Sequence, residues 1–175
     1  MRLMSRVAFT LATILLAAPS LHAQTSFSVA AGATVPVGKT ADGVQVGYNA
    51  MAGLGFKPPL SPLGLRVEGM FNSFQGKATG SGSVRFLSGT GNVTLSGAGM
   101  PIPMGYLIGG LGMYNVSYSG GLVSTKSDNK LGYNFGAGIK FPLTGFSTFL
   151  EARLHYITTA GSSTKFVPIT FGLTF

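Results

Sequence analysis

The charged residues with the clearest chemical potential lie on two short alternating segments. Arg66 and Glu68 stand two residues apart, and Glu151, Arg153 and His155 follow one another at the same spacing. A carboxylate, a guanidinium and an imidazole on one face are groups from which a proton relay or an acid–base site is built. Residues four apart on a strand are separated by about 13 Å, so Glu151 cannot orient His155 directly. We therefore predict no catalytic, cofactor or metal site from these residues.

Composition and charge narrow the function classes further. The chain has 175 residues, of which 9% are charged and 45% hydrophobic, and it contains no Cys. A soluble domain carries about 25% charged residues, and the lack of Cys excludes disulfides, thiol catalysis and Cys-ligated metals. The net charge is +8, but the basic residues are never adjacent, so we predict no nucleic-acid partner. The sequence also lacks the hydrolase, zinc-protease and phosphate-loop motifs.

The elements that must position these charges are strands, because apolar residues alternate along most of the chain. From residue 44 to 56 every second residue is apolar, and the residues between them are mostly Gly, Asn or Gln. Successive side chains of a strand point to opposite faces, so one face is apolar and the other is small or polar. The alternation predicts eight strands, at about 25–35, 44–56, 63–73, 84–100, 104–118, 131–141, 146–158 and 165–175.

Two of these strands have ambiguous patterns. In the fourth, the apolar residues change parity between Phe86 and Val93, which predicts a bulge or loop at 88–92. In the fifth, two apolar sets of opposite parity compete for the apolar face. The set that we expect to point outward is Tyr106, Ile108, Tyr114 and Val116. Asn115 and the small residues of the other parity would then line the interior.

The connections between the predicted strands alternate in kind. Short proline-bearing turns follow the second, fourth and sixth strands, at 57–62, 101–103 and 142–145. Mostly longer polar segments follow the other strands, at 36–43, 74–83, 119–130 and 159–164. Prolines end strands and favour tight turns. Short turns at one end and long loops at the other are typical of outer-membrane barrels.

The polar face indicates which solvent meets the apolar face. A soluble sandwich or lipocalin would carry charged residues opposite its core, but here that face is mostly Gly, Ser, Thr and Asn. Small residues suit the interior of a closed eight-stranded barrel, whose apolar face then meets lipid. We predict an eight-stranded antiparallel up-and-down transmembrane β-barrel over residues 24–175, with Val46, Phe135 and Phe171 facing outward. A soluble periplasmic lipocalin-like carrier is the alternative.

Aromatic residues support a membrane-spanning barrel because they collect at both strand ends, as interfacial girdles do. The band beside the long loops is Tyr48, Tyr118, Tyr133 and Tyr156. The band beside the short turns is Phe27, Phe56, Tyr106, Phe141, Phe146 and Phe175.

The interior charges are expected to meet across the barrel. Strands three and seven lie opposite each other in a ring of eight, and their charges fall at comparable depths. We predict the pairs Arg66–Glu151 and Glu68–Arg153, which would plug the lumen and leave no general pore. Lys140 falls on the same inner face.

The first 23 residues are typical of a secretory signal peptide. Arg2 and Arg6 precede an apolar run at 7–18, and a small-residue cleavage site ends at Ala23. Twelve apolar residues are too few for a membrane-spanning helix, which needs about 20. We therefore expect cleavage after Ala23 and location in the bacterial outer membrane.

The C-terminal strand carries the most specific resemblance. Its alternating residues Phe171, Leu173 and the terminal Phe175 resemble the assembly signal of bacterial outer-membrane β-barrel proteins. With the signal sequence and the eight strands, the chain resembles the small outer-membrane barrel family that includes the OmpX type and the OmpA transmembrane domain. That resemblance implies assembly by the outer-membrane insertion machinery. The lack of Trp for the girdles is a departure from it.

The remaining charges lie mostly in the predicted loops. Their five lysines are Lys39, Lys77, Lys126, Lys130 and Lys165. They are either solvated loop tips or contacts for lipopolysaccharide phosphates, which attract basic segments. We predict a monomeric outer-membrane protein with a structural or surface-interaction role and no enzymatic activity. A lipid-modifying barrel enzyme is a further alternative.

Overall fold

The structure is a computed structural model that describes residues 24–77, 82–97, 104–119, 127–159 and 162–175. Each strand pairs antiparallel with the next, and the last pairs with the first, so the sheet closes into a barrel. The strands are β1 (Gln24–Pro36), β2 (Gly47–Lys57), β3 (Leu63–Gln75), β4 (Ser83–Ser96), β5 (Gly105–Ser119), β6 (Ser127–Pro142), β7 (Ser147–Thr159) and β8 (Ser162–Thr174). The predicted eight-stranded up-and-down barrel is confirmed.

The barrel has two distinct ends. The turn end carries the β2–β3, β4–β5 and β6–β7 connections, and the loop end carries the other four. The connections at the loop end exceed those at the turn end by less than predicted. The β7–β8 connection in particular is short, since these strands pair as far as Thr159 and Ser162, with only 160–161 between them. At the turn end, the β4–β5 connection spans 97–104 rather than 101–103.

One short helix, α1 (Lys39–Gly43), lies in the β1–β2 connection, where the sequence predicts a loop. Among the described residues, no helix has the length and apolar character needed to cross a membrane.

The apolar face of the sheet points out of the barrel, as predicted. Val46, Phe135 and Phe171 are 62%, 54% and 59% exposed. A lipocalin-like carrier would bury these residues in a shared interior, so the structure contradicts that alternative. The outward aromatic residues at the loop end include Tyr48, Tyr118 and Tyr133. Those at the turn end are Phe27, Phe56, Phe141, Phe146 and Phe175.

Two predictions about strands are wrong. Strand β4 pairs continuously with β5 from Ser83 to Ser96, so it has no bulge at 88–92. Phe86 therefore points inward, while Val93, seven residues later, points outward. In β5 the outward set was also assigned wrongly. Four residues expected to face lipid are buried in the interior, namely Tyr106, Ile108, Tyr114 and Val116.

For Phe86, Tyr114 and Val116 the inward position has one physical cause. Near the loop end the interior contains a cluster of large side chains, which we call the apolar layer: Phe74, Phe86, Tyr114, Val116, Ile157 and Phe166. Such a layer buries apolar side chains inside the barrel, so parity alone does not show which side of the wall they occupy. A second small cluster, of Met51, Met70 and Phe149, also lies inside.

Candidate functional site: a charge cluster inside the barrel

Four charged side chains meet inside the barrel and form what we call the charge cluster. Arg66 and Glu68 project inward from β3, and Glu151 and Arg153 project inward from β7. All four residues are less than 9% exposed. Because β3 and β7 lie opposite each other in the closed ring, these side chains reach toward one another across the interior.

Each side chain of the charge cluster contacts both side chains of opposite charge. Across the barrel, Arg66 Nη2 lies 2.7 Å from Glu151 Oε2, and Arg153 Nη1 lies 2.5 Å from Glu68 Oε1. Along each strand, Arg66 Nε lies 2.8 Å from Glu68 Oε2, and Arg153 Nε lies 2.8 Å from Glu151 Oε1. The two cross-barrel contacts therefore join Arg66 to Glu151 and Glu68 to Arg153, the same pairs that the strand positions predict. Because each buried charge has two partners, the desolvation cost is offset.

Glycines on the neighbouring strands make room for the charge cluster. The registered pairs are Gly55 with Arg66, Gly53 with Glu68, Gly138 with Glu151, and Gly136 with Arg153. A Cβ atom on Gly136 would lie 2.1 Å from the carbonyl oxygen of Ala152 and 2.7 Å from Arg153 Cγ. The small inner residues therefore give the long charged side chains their space.

A tyrosine that sequence reasoning assigned to the lipid face completes the charge cluster. Tyr106 is 6% exposed, and its hydroxyl donates a hydrogen bond of 2.6 Å to Glu151 Oε2. The signal that could have revealed this lies in β5 itself. Gly110 and Gly112 have the same parity as Tyr106, and interior positions favour such small residues.

Polar residues of neighbouring strands extend the network from Glu68 toward Arg153. Thr90 Oγ1 donates to Glu68 Oε1 over 3.3 Å, and Asn92 Nδ2 donates to Thr90 Oγ1 over 2.9 Å. Asn134 Nδ2 in turn donates to Asn92 Oδ1 over 2.9 Å. The sequence reasoning did not single out these three residues, because their partners depend on the register of β3 to β6.

His155 lies in the interior, beside the apolar layer rather than in the charge cluster. It is fully buried, its Nδ1 lies 2.9 Å from the hydroxyl oxygen of Tyr114, and its ring stacks on Phe166 at 5.2 Å. Within the described part of the chain, no group of three or more His, Asp or Glu residues is arranged to hold a metal ion. Glu151 contacts Arg66, Arg153, Tyr106 and Thr170, whereas His155 contacts Tyr114 and Phe166.

The loop lysines occupy different environments. Lys39 and Lys77 are exposed, whereas Lys130 Nζ lies 2.6 Å from Asp128 Oδ2. Lys165 Nζ lies 5.0 Å from the centroid of the Tyr156 ring. Lys126 and the predicted signal peptide at 1–23 lie outside the described residues.

The outer face near the loop end also includes a cation that sequence reasoning did not single out. Arg85 is exposed on β4 and pairs in register with Ser73 and Ser117. Its outward position follows from its place on β4, between Ser73 of β3 and Ser117 of β5.

The predicted assembly residues belong to the strand that closes the barrel. Phe171 and Phe175 are each 59% exposed, and Leu173 on the same strand is half-buried. Phe175 exchanges two backbone hydrogen bonds with Phe27, of 3.0 and 2.8 Å.

The chain forms a closed up-and-down barrel of eight antiparallel strands, with apolar residues on its outer face and charged residues inside. Solved structures of bacterial outer-membrane proteins share this fold. Neisserial surface protein A matches over 87% of this chain and 97% of its own, with a TM-score of 0.68 and 14% identity.

Two further structures match less closely. Ail of Yersinia pestis, solved in a phospholipid bilayer nanodisc, matches over 87% of this chain and 100% of its own, with a TM-score of 0.52 and 17% identity. The N-terminal β-barrel domain of Pseudomonas aeruginosa OprF matches over 87% of this chain and 99% of its own, with a TM-score of 0.50 and 16% identity. At these identities the likeness concerns the fold. No protein-family model and no curated relative matches the sequence.

Proposed function

We propose that this chain is an integral protein of the bacterial outer membrane with a structural or surface-interaction role. The observation that carries the proposal is the outward exposure of the apolar face, with Leu65, Phe135 and Phe171 each more than half exposed. Exposed apolar surface of this extent is costly in water and favourable in hydrocarbon. The closed ring also leaves no unpaired strand edge, which hydrocarbon does not tolerate.

We infer that the chain reaches this location by export and assisted insertion. The sequence supports a signal peptide cleaved after Ala23. The alternating Phe171, Leu173 and Phe175 would present the assembly signal to the barrel-insertion machinery. In an up-and-down barrel of eight strands both termini lie at one end, so the turn end would face the periplasm.

The interior favours a structural role over a general diffusion pore. An eight-stranded barrel leaves room for little besides side chains. Here the charge cluster is followed toward the loop end by the apolar layer, in which Phe74, Tyr114 and Phe166 are at most 1% exposed. An ion crossing the barrel would have to separate buried ion pairs and then pass an apolar constriction.

The same contacts favour a protein without enzymatic activity. A lipid-modifying barrel enzyme would need a nucleophile and a base at the lipid face or the rim. His155 points inward, fully buried, and contacts Tyr114 and Phe166. Such a histidine could meet a lipid substrate only after the wall or the apolar layer had opened.

At the loop end, we infer that lysines contact lipopolysaccharide. Lys39 and Lys77 are exposed, and Lys165 lies over Tyr156, whose ring stacks on Tyr133 at 4.9 Å. Tyrosines and basic side chains together suit the headgroup level of a membrane, where phosphates collect. Lys130 contributes less charge because Asp128 pairs with it.

Gel mobility and conductance test this function together. A folded membrane barrel should migrate differently in SDS before and after boiling, and it should leave the membrane only with detergent. Inserted into a planar bilayer as a monomer, it should conduct no steady current. Release without detergent would contradict the membrane location, and a steady porin-like current would contradict the closed interior. Arg85→Gln removes one cation from the outer face and leaves the barrel interior unchanged. This variant should give the same gel shift and the same lack of conductance as the parent protein.

A further inference from the structure

The barrel interior contains a cavity of about 380 Å³ at the turn end, which we call the vestibule. Its innermost lining residues are Arg66, Tyr106 and Phe149, and its outer lining residues belong to the ends of the strands and to the turns. Pockets for small ligands start at about 300 Å³. The vestibule is therefore large enough for a small solute or a lipid headgroup.

Two lysines from opposite strands face the vestibule. Lys57 belongs to β2 and Lys140 to β6, and these strands lie opposite each other in the ring of eight. Lys57 Nζ donates to Ser96 Oγ of β4 over 2.7 Å. To reach it, the Lys57 side chain passes Gly64 on β3, the strand between β2 and β4. Lys140 shares the lining of the vestibule with Lys57 and Arg66, which are both positive.

These positive charges have no acidic counterpart in the vestibule. No Asp or Glu is among its described lining residues, and the side chains of Glu68 and Glu151 are 0% exposed within the charge cluster. Since that cluster contains two cations and two anions, the two lysines are an excess. Hydroxyl groups add hydrogen-bond donors to the lining, from Ser26, Ser28, Thr94, Ser96 and Thr174.

We propose that the vestibule binds a small phosphate-bearing anion. A cleft with low-dielectric walls and charges of one sign concentrates counter-ions of the opposite sign. Lysine ammonium groups and hydroxyls donate hydrogen bonds from several directions, which suits the tetrahedral array of phosphate oxygens. The proposal depends on the barrel fold and on the vestibule. It rests on the proposed function only for the compartment that supplies the anion, because that compartment depends on whether the turn end faces the periplasm.

Calorimetric titration of the folded barrel with pyrophosphate, in nonionic detergent at low ionic strength, tests this site. Lys140→Gln should weaken pyrophosphate binding roughly tenfold, and Lys57→Gln with Lys140→Gln should weaken it further. Lys39→Gln and Lys77→Gln remove the same charge at the loop end and should leave the affinity unchanged. The heat-dependent gel shift of each variant verifies that it is folded.

Three outcomes would overturn the site. Affinity that is unchanged in the Lys57→Gln, Lys140→Gln double variant would place pyrophosphate elsewhere. An equal loss in Lys77→Gln would show a general effect of net charge, and equal displacement by chloride would show adventitious counter-ions only. Each of these outcomes could occur while the gel shift and the lack of conductance remain. The anion site could therefore be disproved while the proposed function stands.

Nanodiscs identify the source of the phosphate. With phosphatidylglycerol in the bilayer, a headgroup that reaches the vestibule should compete with pyrophosphate and reduce its apparent affinity. In phosphatidylcholine alone, whose headgroup carries no net charge, the affinity should be that in detergent. Equal affinity in both bilayers would support binding of a free solute, and a loss confined to phosphatidylglycerol would support a lipid headgroup.

Discussion

The hydroxyl oxygen of Tyr106 lies 2.6 Å from Glu151 Oε2, and the two residues meet across Gly138 on the strand between them. A Cβ atom on Gly138 would lie 2.4 Å from Tyr106 Cζ. The missing side chain on β6 therefore lets residues of β5 and β7 form a direct contact. Asn92 and Asn134 repeat this arrangement, since each is paired in register with Gly110 on β5.

Removal of the Tyr106 hydroxyl should destabilise the barrel without a change in packing volume. In Tyr106→Phe the buried Glu151 carboxylate loses one hydrogen bond, which costs about 1.5–3 kcal/mol for a charged partner. Urea unfolding in lipid vesicles, followed by gel mobility, measures the free energy of unfolding. Tyr48→Phe changes a ring that is 61% exposed and should stay within about 0.5 kcal/mol of the parent. Equal effects of the two substitutions would contradict the role of the Tyr106 contact.

Two glycine substitutions separate the need for space from the loss of chain flexibility. Gly138→Ala would push a methyl group into the Tyr106 ring, and we expect a loss of about 1–3 kcal/mol, as for overpacked cores. Gly89→Ala meets nothing within 4 Å, and alanine should stabilise that strand by about 0.5–1 kcal/mol. The same unfolding assay measures both variants. A stable Gly138→Ala barrel would show that Tyr106 can move without cost.

Local alternation predicts the strands and, except in β5, their outward face, and the short connections between consecutive strands predict their order. The contact between Arg66 and Glu151 could also be anticipated, since a closed up-and-down ring of eight places β3 opposite β7. Depth counted from the turns was sufficient because both strands start close to the same end.

The position of Tyr106 was harder to predict for a physical reason. A large apolar ring satisfies the alternation rule equally well in lipid and in a filled lumen, so parity gives two solutions for β5. Only the neighbours decide between them, because Gly138 and Glu151 become adjacent to Tyr106 through the register of three strands. The same dependence on register hid the contact between Asn92 and Asn134.

Removal of one charge from the charge cluster should cost much more than removal of a charge from a surface pair. Glu151→Gln leaves Arg66 and Arg153 with one carboxylate between them, and a broken buried pair typically costs about 3–5 kcal/mol. Asp128→Asn disrupts the pair with Lys130, in which Asp128 is 54% exposed, and should cost at most about 1 kcal/mol. Urea unfolding compares the two variants. Similar losses would show that the charge cluster adds no more stability than the surface pair.

The lysines at the loop end should determine how much lipopolysaccharide stays bound during purification. The variant replaces five residues with Gln, namely Lys39, Lys77, Lys126, Lys130 and Lys165. Each removed charge weakens attraction to headgroups by about 1 kcal/mol near the surface, so the amount of lipopolysaccharide retained per barrel should fall. Equal retention by the parent and the five-lysine variant would contradict the proposed contacts.

The terminal aromatic residue should matter for assembly in the cell more than for the folded barrel itself. Phe175 forms its two hydrogen bonds with Phe27 through backbone atoms, and its ring is 59% exposed. Phe175→Ala should therefore refold in detergent with the parent heat shift, yet yield less folded protein in the outer membrane. Phe146→Ala removes the neighbouring ring, whose centroid lies 6.2 Å from that of Phe175, and should assemble normally. Normal assembly of Phe175→Ala, or an equal defect in Phe146→Ala, would argue that the insertion machinery does not read the terminal ring.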